Sequence, residues 1–134
     1  MVRRLIIDTG VLIASERART ELAGVITEDD DLVMAAVTVA ELRTGIESAT
    51  ERHRVPRSEF LVKVLETLPV EAYGLATAEA HGRLLAHVHR SGTKCGAHDL
   101  IIAATAVATN RTVLTTDRNA HFDDLPGVYC IMVS

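Results

Sequence analysis

Four acidic residues stand where the chain changes character. Asp8 follows the apolar run Leu5-Ile6-Ile7, Glu41 closes Thr38-Val39-Ala40-Glu41, Asp99 precedes a long apolar stretch, and Asp117 follows Thr112-Val113-Leu114-Thr115. Carboxylates gathered in one partly dry cleft repel one another strongly unless a cation neutralises them. An all-oxygen donor set suits a hard ion, Mg2+ or Mn2+. Such an ion orients and acidifies water and offsets charge on a phosphoryl oxygen, which is the chemistry of phosphodiester hydrolysis. Each acid alone has a plainer reading. Glu41 completes a capping box with Thr38, Asp99 complements a helix dipole, and Asp8 and Asp117 occupy turns. What separates the readings is whether the fold brings the four together.

The elements that must position them are legible as apolar periodicities. Leu5-Ile6-Ile7 reads as a buried strand ending at Asp8-Thr9-Gly10. Short helices are expected over Val11 to Glu16 and around Glu21 to Ile26, then a turn at Asp29-Asp30-Asp31 and a strand over Leu32 to Ala36. A helix opens at Thr38 with the stripe Val39, Leu42 and Ile46. Pro56 suits the start of the next helix, whose stripe is Phe60, Leu61, Val64, Leu65 and Leu68. A short extended segment begins at Leu68-Pro69-Val70. Thr77 to Arg90 is helical in pattern, with Gly92 at its C-terminal turn. Asp99 to Thr109 is apolar or small nearly throughout, as a helix covered on most sides requires. Strands over Thr112 to Thr115 and Val128 to Val133 complete the pattern. Alternating strands and helices predict an α/β fold: a central, mainly parallel sheet with helices on both faces. In such a sheet, ligands sit beyond the carboxyl ends of the strands, and all four acids fall on that rim.

A chain of 134 residues, 48% of them hydrophobic, is the size of one domain over 1–134 with one interior. The net charge of −4 and the scarcity of aromatics (two Tyr, two Phe, no Trp) argue against broad phosphate-backbone binding or a base-stacking platform. Setting the four rim acids aside leaves 14 acidic and 14 basic residues, so the remaining surface is balanced and the acidity is local. No run of about 18 apolar residues is present to span a membrane. Arg3-Arg4 precede only three apolar residues before Asp8, too few for an export signal. Cys95 and Cys130 have no metal-ligand spacing and are expected as reduced thiols in a cytoplasmic protein.

At this point the blocks resemble a known family. Leu5-Ile6-Ile7-Asp8-Thr9, Ala40-Glu41-Leu42-Arg43-Thr44-Gly45, Asp99-Leu100-Ile101-Ile102-Ala103-Ala104, Thr115-Thr116-Asp117 and the tail His121-Phe122-Asp123-Asp124-Leu125-Pro126-Gly127-Val128 are similar to PIN-domain blocks, in order and along essentially the whole chain. The tail in particular resembles that of the VapC toxins of bacterial toxin–antitoxin pairs. The resemblance implies a Mg2+- or Mn2+-dependent endoribonuclease that dimerises and is silenced by a VapB-type antitoxin. It makes Asp8, Glu41, Asp99 and Asp117 the catalytic, metal-binding quartet. It places the Thr9 and Thr116 hydroxyls beside them, orienting carboxylates or water, and leaves open whether Asp117 or Asn119 completes the site.

Arg52, Arg54 and Arg57 form the densest basic cluster, a candidate grip on RNA phosphates whose plainer reading is a solvated face. His87 and His89 lie about 200° apart around their helix and cannot chelate one ion. His98 precedes Asp99 and is either a substrate neighbour or a surface residue. Two other functions fit an acidic α/β rim. A signalling receiver domain is disfavoured because Asp8 is single and no lysine follows the Thr112 strand. A catalytically silent PIN-like module that only binds RNA or protein is disfavoured because all four acidic positions are filled.

Overall fold

The computed structural model describes residues 2–16 and 25–133. β1 (Arg4–Ile7) leads into α1 (Thr9–Glu16); β2 (Asp31–Ala35) runs directly into α2 (Ala36–Glu47), followed by α3 (Glu51–Thr67). β3 (Val70–Glu71), α4 (Leu75–Ser91), α5 (Ala97–Thr109) and β4 (Thr112–Thr115) follow. Two short 3-10 turns, Arg118–Ala120 and Phe122–Asp124, then connect to β5 (Cys130–Met132). The helix expected around Glu21 to Ile26 falls mostly outside the described residues.

The strands form one parallel sheet in the order β3-β2-β1-β4-β5. Strand alternation decides where the core sits. Ile6, Val33 and Val113 face one layer, packing with α4 and α5 through Ala80, Leu84, Ile102, Ala103 and Ala106. Ile7, Met34 and Leu114 face the other, packing with α1, α2 and α3 through Val11, Leu42, Ile46, Leu61 and Val64. Helices therefore cover both faces, as the alternation of strand and helix predicts. Chain direction reverses its winding at β1, so the crevice beyond the ends of β1 and β4 is the topological switch point where such sheets bind ligands.

Three local expectations are corrected. Thr38 is not an N-cap: α2 begins at Ala36, directly off β2, with Ala35 as its cap and no side-chain capping bond. The capping box therefore does not form, and Glu41 lies in the second turn of α2 rather than the first. Pro56 lies inside α3 instead of opening it. That helix starts on Thr50, whose carbonyl accepts from the His53 and Arg54 N–H groups at 2.9 and 3.0 Å. Leu65 is exposed, because Leu61 and Val64 are the α3 residues that reach the core. Gly92 ends α4 in the left-handed conformation at φ 72°, as its position implies. Asp99 lies in the first turn of α5, two residues after the helix opens at Ala97.

Candidate active site

Register builds the site first. Ile7 pairs with Leu114, so Asp8, one step past β1, stands beside Thr115 at the end of β4. The Asp8 N–H continues the ladder by donating to the Leu114 carbonyl at 2.9 Å. Asp8 is only 4% exposed, a costly place for a carboxylate without donors. Thr115, fully buried, supplies one: its Oγ1 donates to Asp8 Oδ2 at 2.8 Å. The same hydroxyl accepts from the Asp117 N–H at 3.0 Å. Asp117 Oδ1 accepts from the Asn119 N–H at 2.8 Å, fixing the turn out of β4.

Glu41 reaches the rim from α2. Thr9 Oγ1, at the start of α1, lies 2.8 Å from Glu41 Oε1 and 3.0 Å from Thr38 Oγ1. With one proton, that hydroxyl can give to the carboxylate while accepting from Thr38. Thr38, lost as a cap, is thus a fully buried link between α2 and α1. The other Glu41 oxygen, Oε2, faces His98 Nδ1 at 3.5 Å. Asp99 rises from the first turn of α5, tight against the main chain: a Cβ built on Gly96 would lie 3.0 Å from Asp99 Oδ2.

Electrostatics shows that the four acids act on one another. Burial, then the charges of Asp8, Asp117 and Glu41, push Asp99 up to about 6, against a small opposing effect of His98. Burial also raises Asp8; Thr115 and the Thr9 main chain hold it down, while Glu41 and Asp117 add to the rise. Cys95 is pushed up to about 11 by burial and by Asp99, Asp117 and Asp8, which keeps it a neutral thiol beside the acids. Among the described residues, no three acid, imidazole or thiol side chains are gathered tightly enough to make a finished metal cage. The donor chemistry nevertheless fits a hard divalent ion. The set is all carboxylate, two of its members are raised by burial and further by their acidic neighbours, and Mg2+ characteristically takes one or two protein carboxylates and fills its shell with water and phosphate oxygens.

The expected supporting residues divide. Thr9 is where the sequence places it. Thr116 is not the hydroxyl that serves Asp8: Thr115 is, and Thr116 Oγ1 instead sits near Gly10, 3.7 Å from a Cβ built there. Asn119 supports Asp117 through its main chain. Arg54 and Arg57 donate to the Ala49 and Gly45 carbonyls at 3.0 and 2.9 Å, closing the end of α2. Of the arginine cluster, only Arg57 lines a cleft that also contains Glu41; its volume is about 240 Å³ and Ile13, Leu42 and Phe60 form its apolar wall. A second cleft of about 240 Å³ is lined by Glu41, Gly96, Ala97, His98 and Asp99. Thr115, Thr38 and Gly96 escaped sequence reasoning. Only strand register could have distinguished Thr115 from Thr116.

The model of the PIN domain matches residues 5–128, a span that includes all four acids. The chain belongs to the PIN-domain family. Among curated relatives, this PIN domain is 36% identical over 132 residues to "Ribonuclease VapC5" of Mycobacterium tuberculosis, covering 96% of this chain and 94% of that one. It is 31% identical over 121 residues to "VapC ribonuclease Y4jK" of Sinorhizobium fredii, covering 84% and 86%. Among solved structures, it superposes on VapBC-5 of Mycobacterium tuberculosis, a member of the VapBC toxin–antitoxin family, with a TM-score of 0.81 and 30% identity over 97% of this chain and 98% of that one. Rickettsia felis VapBC2, solved bound to a promoter DNA fragment, shares the fold with a TM-score of 0.87 at 17% identity and full coverage of both chains. Among the described residues, no helix is long and apolar enough to cross a membrane.

Proposed function

We propose that this PIN domain is the ribonuclease toxin of a toxin–antitoxin pair. It hydrolyses RNA phosphodiester bonds with Mg2+ or Mn2+ held among Asp8, Glu41, Asp99 and Asp117. The observation that carries this reading is the convergence of four acids from four elements on one rim, where burial first and then the neighbouring acids raise Asp8 and Asp99. A divalent cation relieves that crowding and turns an acidic cleft into a phosphate site. When bound, the cation supplies an acidified water and offsets charge on the phosphoryl oxygens.

The chain's own residues prepare the site. Thr115 and Thr9 each hold one oxygen of an acid, Asp8 Oδ2 and Glu41 Oε1, so two carboxylates from different elements keep fixed orientations before substrate arrives. The Asn119 N–H does the same for Asp117 Oδ1. Arg57, which lines a cleft with Glu41, is the first candidate for an RNA phosphate contact, and Arg52 and Arg54 are further candidates for the strand. Similarity to VapC ribonucleases supports the reaction, and similarity to VapBC complexes supports a VapB-type antitoxin; a homodimeric toxin acting in the cytoplasm completes the proposal.

Expression of the chain alone, then together with its neighbouring gene, tests the reading when RNA 5′ ends are mapped in both. New 5′ ends and growth arrest that the neighbour relieves are expected. Arrest without new 5′ ends would instead favour a silent module that acts by binding.

A further inference from the structure

The cleft between α2 and the first turn of α5 is lined by three ionisable side chains, Glu41, His98 and Asp99, together with Gly96 and Ala97. Carboxylates can only accept hydrogen bonds when ionised, and an RNA strand presents them with more negative charge. A cation held by the acids would offset that mismatch at the scissile phosphate, but the neighbouring nucleotide needs a protein group of its own. His98 is the only side chain lining this cleft, besides the two carboxylates, that can form a hydrogen bond. Its Nδ1 faces Glu41 Oε2 at 3.5 Å, which directs the ring's one N–H toward that carboxylate and leaves the opposite nitrogen, Nε2, turned away as an acceptor for a nucleotide hydroxyl or amino group. The ring side chain is 59% exposed, and neither nitrogen makes a hydrogen bond among the described residues. An aromatic, hydrogen-bonding ring beside the acids also fits a chain with few other rings to offer a base.

On the ribonuclease reading above, we infer that His98 is a substrate-binding residue, its Nε2 accepting a hydrogen bond from a hydroxyl or amino group of the single-stranded RNA nucleotide next to the scissile phosphate. The ring contributes to binding the strand and leaves the hydrolytic step to the acids.

Steady-state cleavage of a labelled single-stranded RNA spanning a mapped cut site tests this with wild type, His98→Ala and His98→Gln, alongside Mn2+ binding measured by calorimetry. The expected result for His98→Ala is a KM raised about tenfold, the equivalent of one lost hydrogen bond to a charged or polar partner. Its kcat and Mn2+ affinity should stay near wild type, and His98→Gln should recover most of the lost affinity. An unchanged KM in His98→Ala would overturn the assignment. A fall in kcat and Mn2+ affinity at constant KM would also overturn it, making His98 a positioning residue for Glu41. Equal defects in Gln and Ala would exclude the hydrogen bond. Failure of the wild type to cleave RNA would overturn the ribonuclease reading itself, whereas normal wild-type cleavage with a neutral His98→Ala would overturn only this proposal.

Discussion

Thr115 Oγ1 donates to Asp8 Oδ2 at 2.8 Å across the β1–β4 pair, joining the ends of the two strands that flank the switch point of the sheet. Because the same oxygen accepts from the Asp117 N–H at 3.0 Å, one buried hydroxyl sets the positions of two acids. Thr115→Val keeps the shape and removes both bonds. It should destabilise the fold by about 2 kcal/mol, the cost of leaving a buried charged acceptor short of a donor, and raise the Asp8 pKa further. Thermal denaturation and RNA cleavage should both show the defect, and Thr115→Ser should restore most of each. A Val variant with wild-type cleavage would remove Thr115 from the site.

Gly96 presses on Asp99 from the loop before α5. Its backbone, at φ −60° and ψ 149°, suits alanine, so Gly96→Ala introduces no backbone strain. The new methyl would lie 3.0 Å from Asp99 Oδ2 and must displace that carboxylate by a few tenths of an ångström. Cleavage should fall about tenfold, in keeping with the sensitivity of catalysis to small displacements, while Tm stays near wild type. Gly96→Ala with full activity would show that Asp99 tolerates the shift.

The acid cluster should also leave a mark on stability. Asp99 titrates near 6 in the folded chain against an ordinary 3.8, so between those values the folded state binds more protons than the unfolded. Its contribution to stability therefore falls as pH rises through that window. Asp8 acts in the same direction. Asp30, held down to about 2 by Arg3, acts oppositely but only below its ordinary value, outside this window. In EDTA, Tm should drop from pH 4 to pH 6 more steeply in wild type than in Asp99→Asn, and excess Mg2+ should flatten the wild-type slope. Parallel slopes for the two proteins in EDTA would contradict the electrostatic account.

At the opposite end of the sheet, Arg111 precedes β4 with its side chain only 4% exposed. It donates to the Asp31 carbonyl at 2.8 Å and to Asp31 Oδ1 at 3.0 Å, with the Leu5 carbonyl at 3.3 Å. Arg111→Leu should destabilise by about 2 kcal/mol, below the full figure for a buried pair because Asp31 is over a third exposed. Chemical denaturation checks the loss. Cleavage per folded molecule should be unchanged, since this clasp holds β1, β2 and β4 together far from the acids.

Much of this architecture is legible in the chain because its signals are local. Leu5-Ile6-Ile7 and Val113-Leu114 are short, branched apolar runs bounded by turn residues, which read as buried strands, and the acids beside them land on the rim whichever order the strands take. What remained hidden depends on pairing between distant segments. Thr115 and Thr116 are chemically identical in sequence, and only the Ile7–Leu114 register selects the first. The Thr38–Glu41 spacing is a sound capping signal that is overruled because β2 passes into α2 without a loop, drawing Thr38 into the interior toward Thr9. Pro56 is a sound helix-start signal that misleads because the helix already begins at the Thr50 cap, six residues earlier.

The claim that the four carboxylates serve as one divalent-cation site for RNA hydrolysis is tested most directly by cleavage of single-stranded RNA in EDTA and after Mg2+ or Mn2+ add-back, using wild type, Asp8→Asn and Asp99→Asn. Wild-type cleavage should vanish in EDTA and return with either ion. Both variants, folded by circular dichroism, should stay at least about a hundredfold slower at saturating metal. Robust cleavage in EDTA, or full activity in both variants, would contradict it.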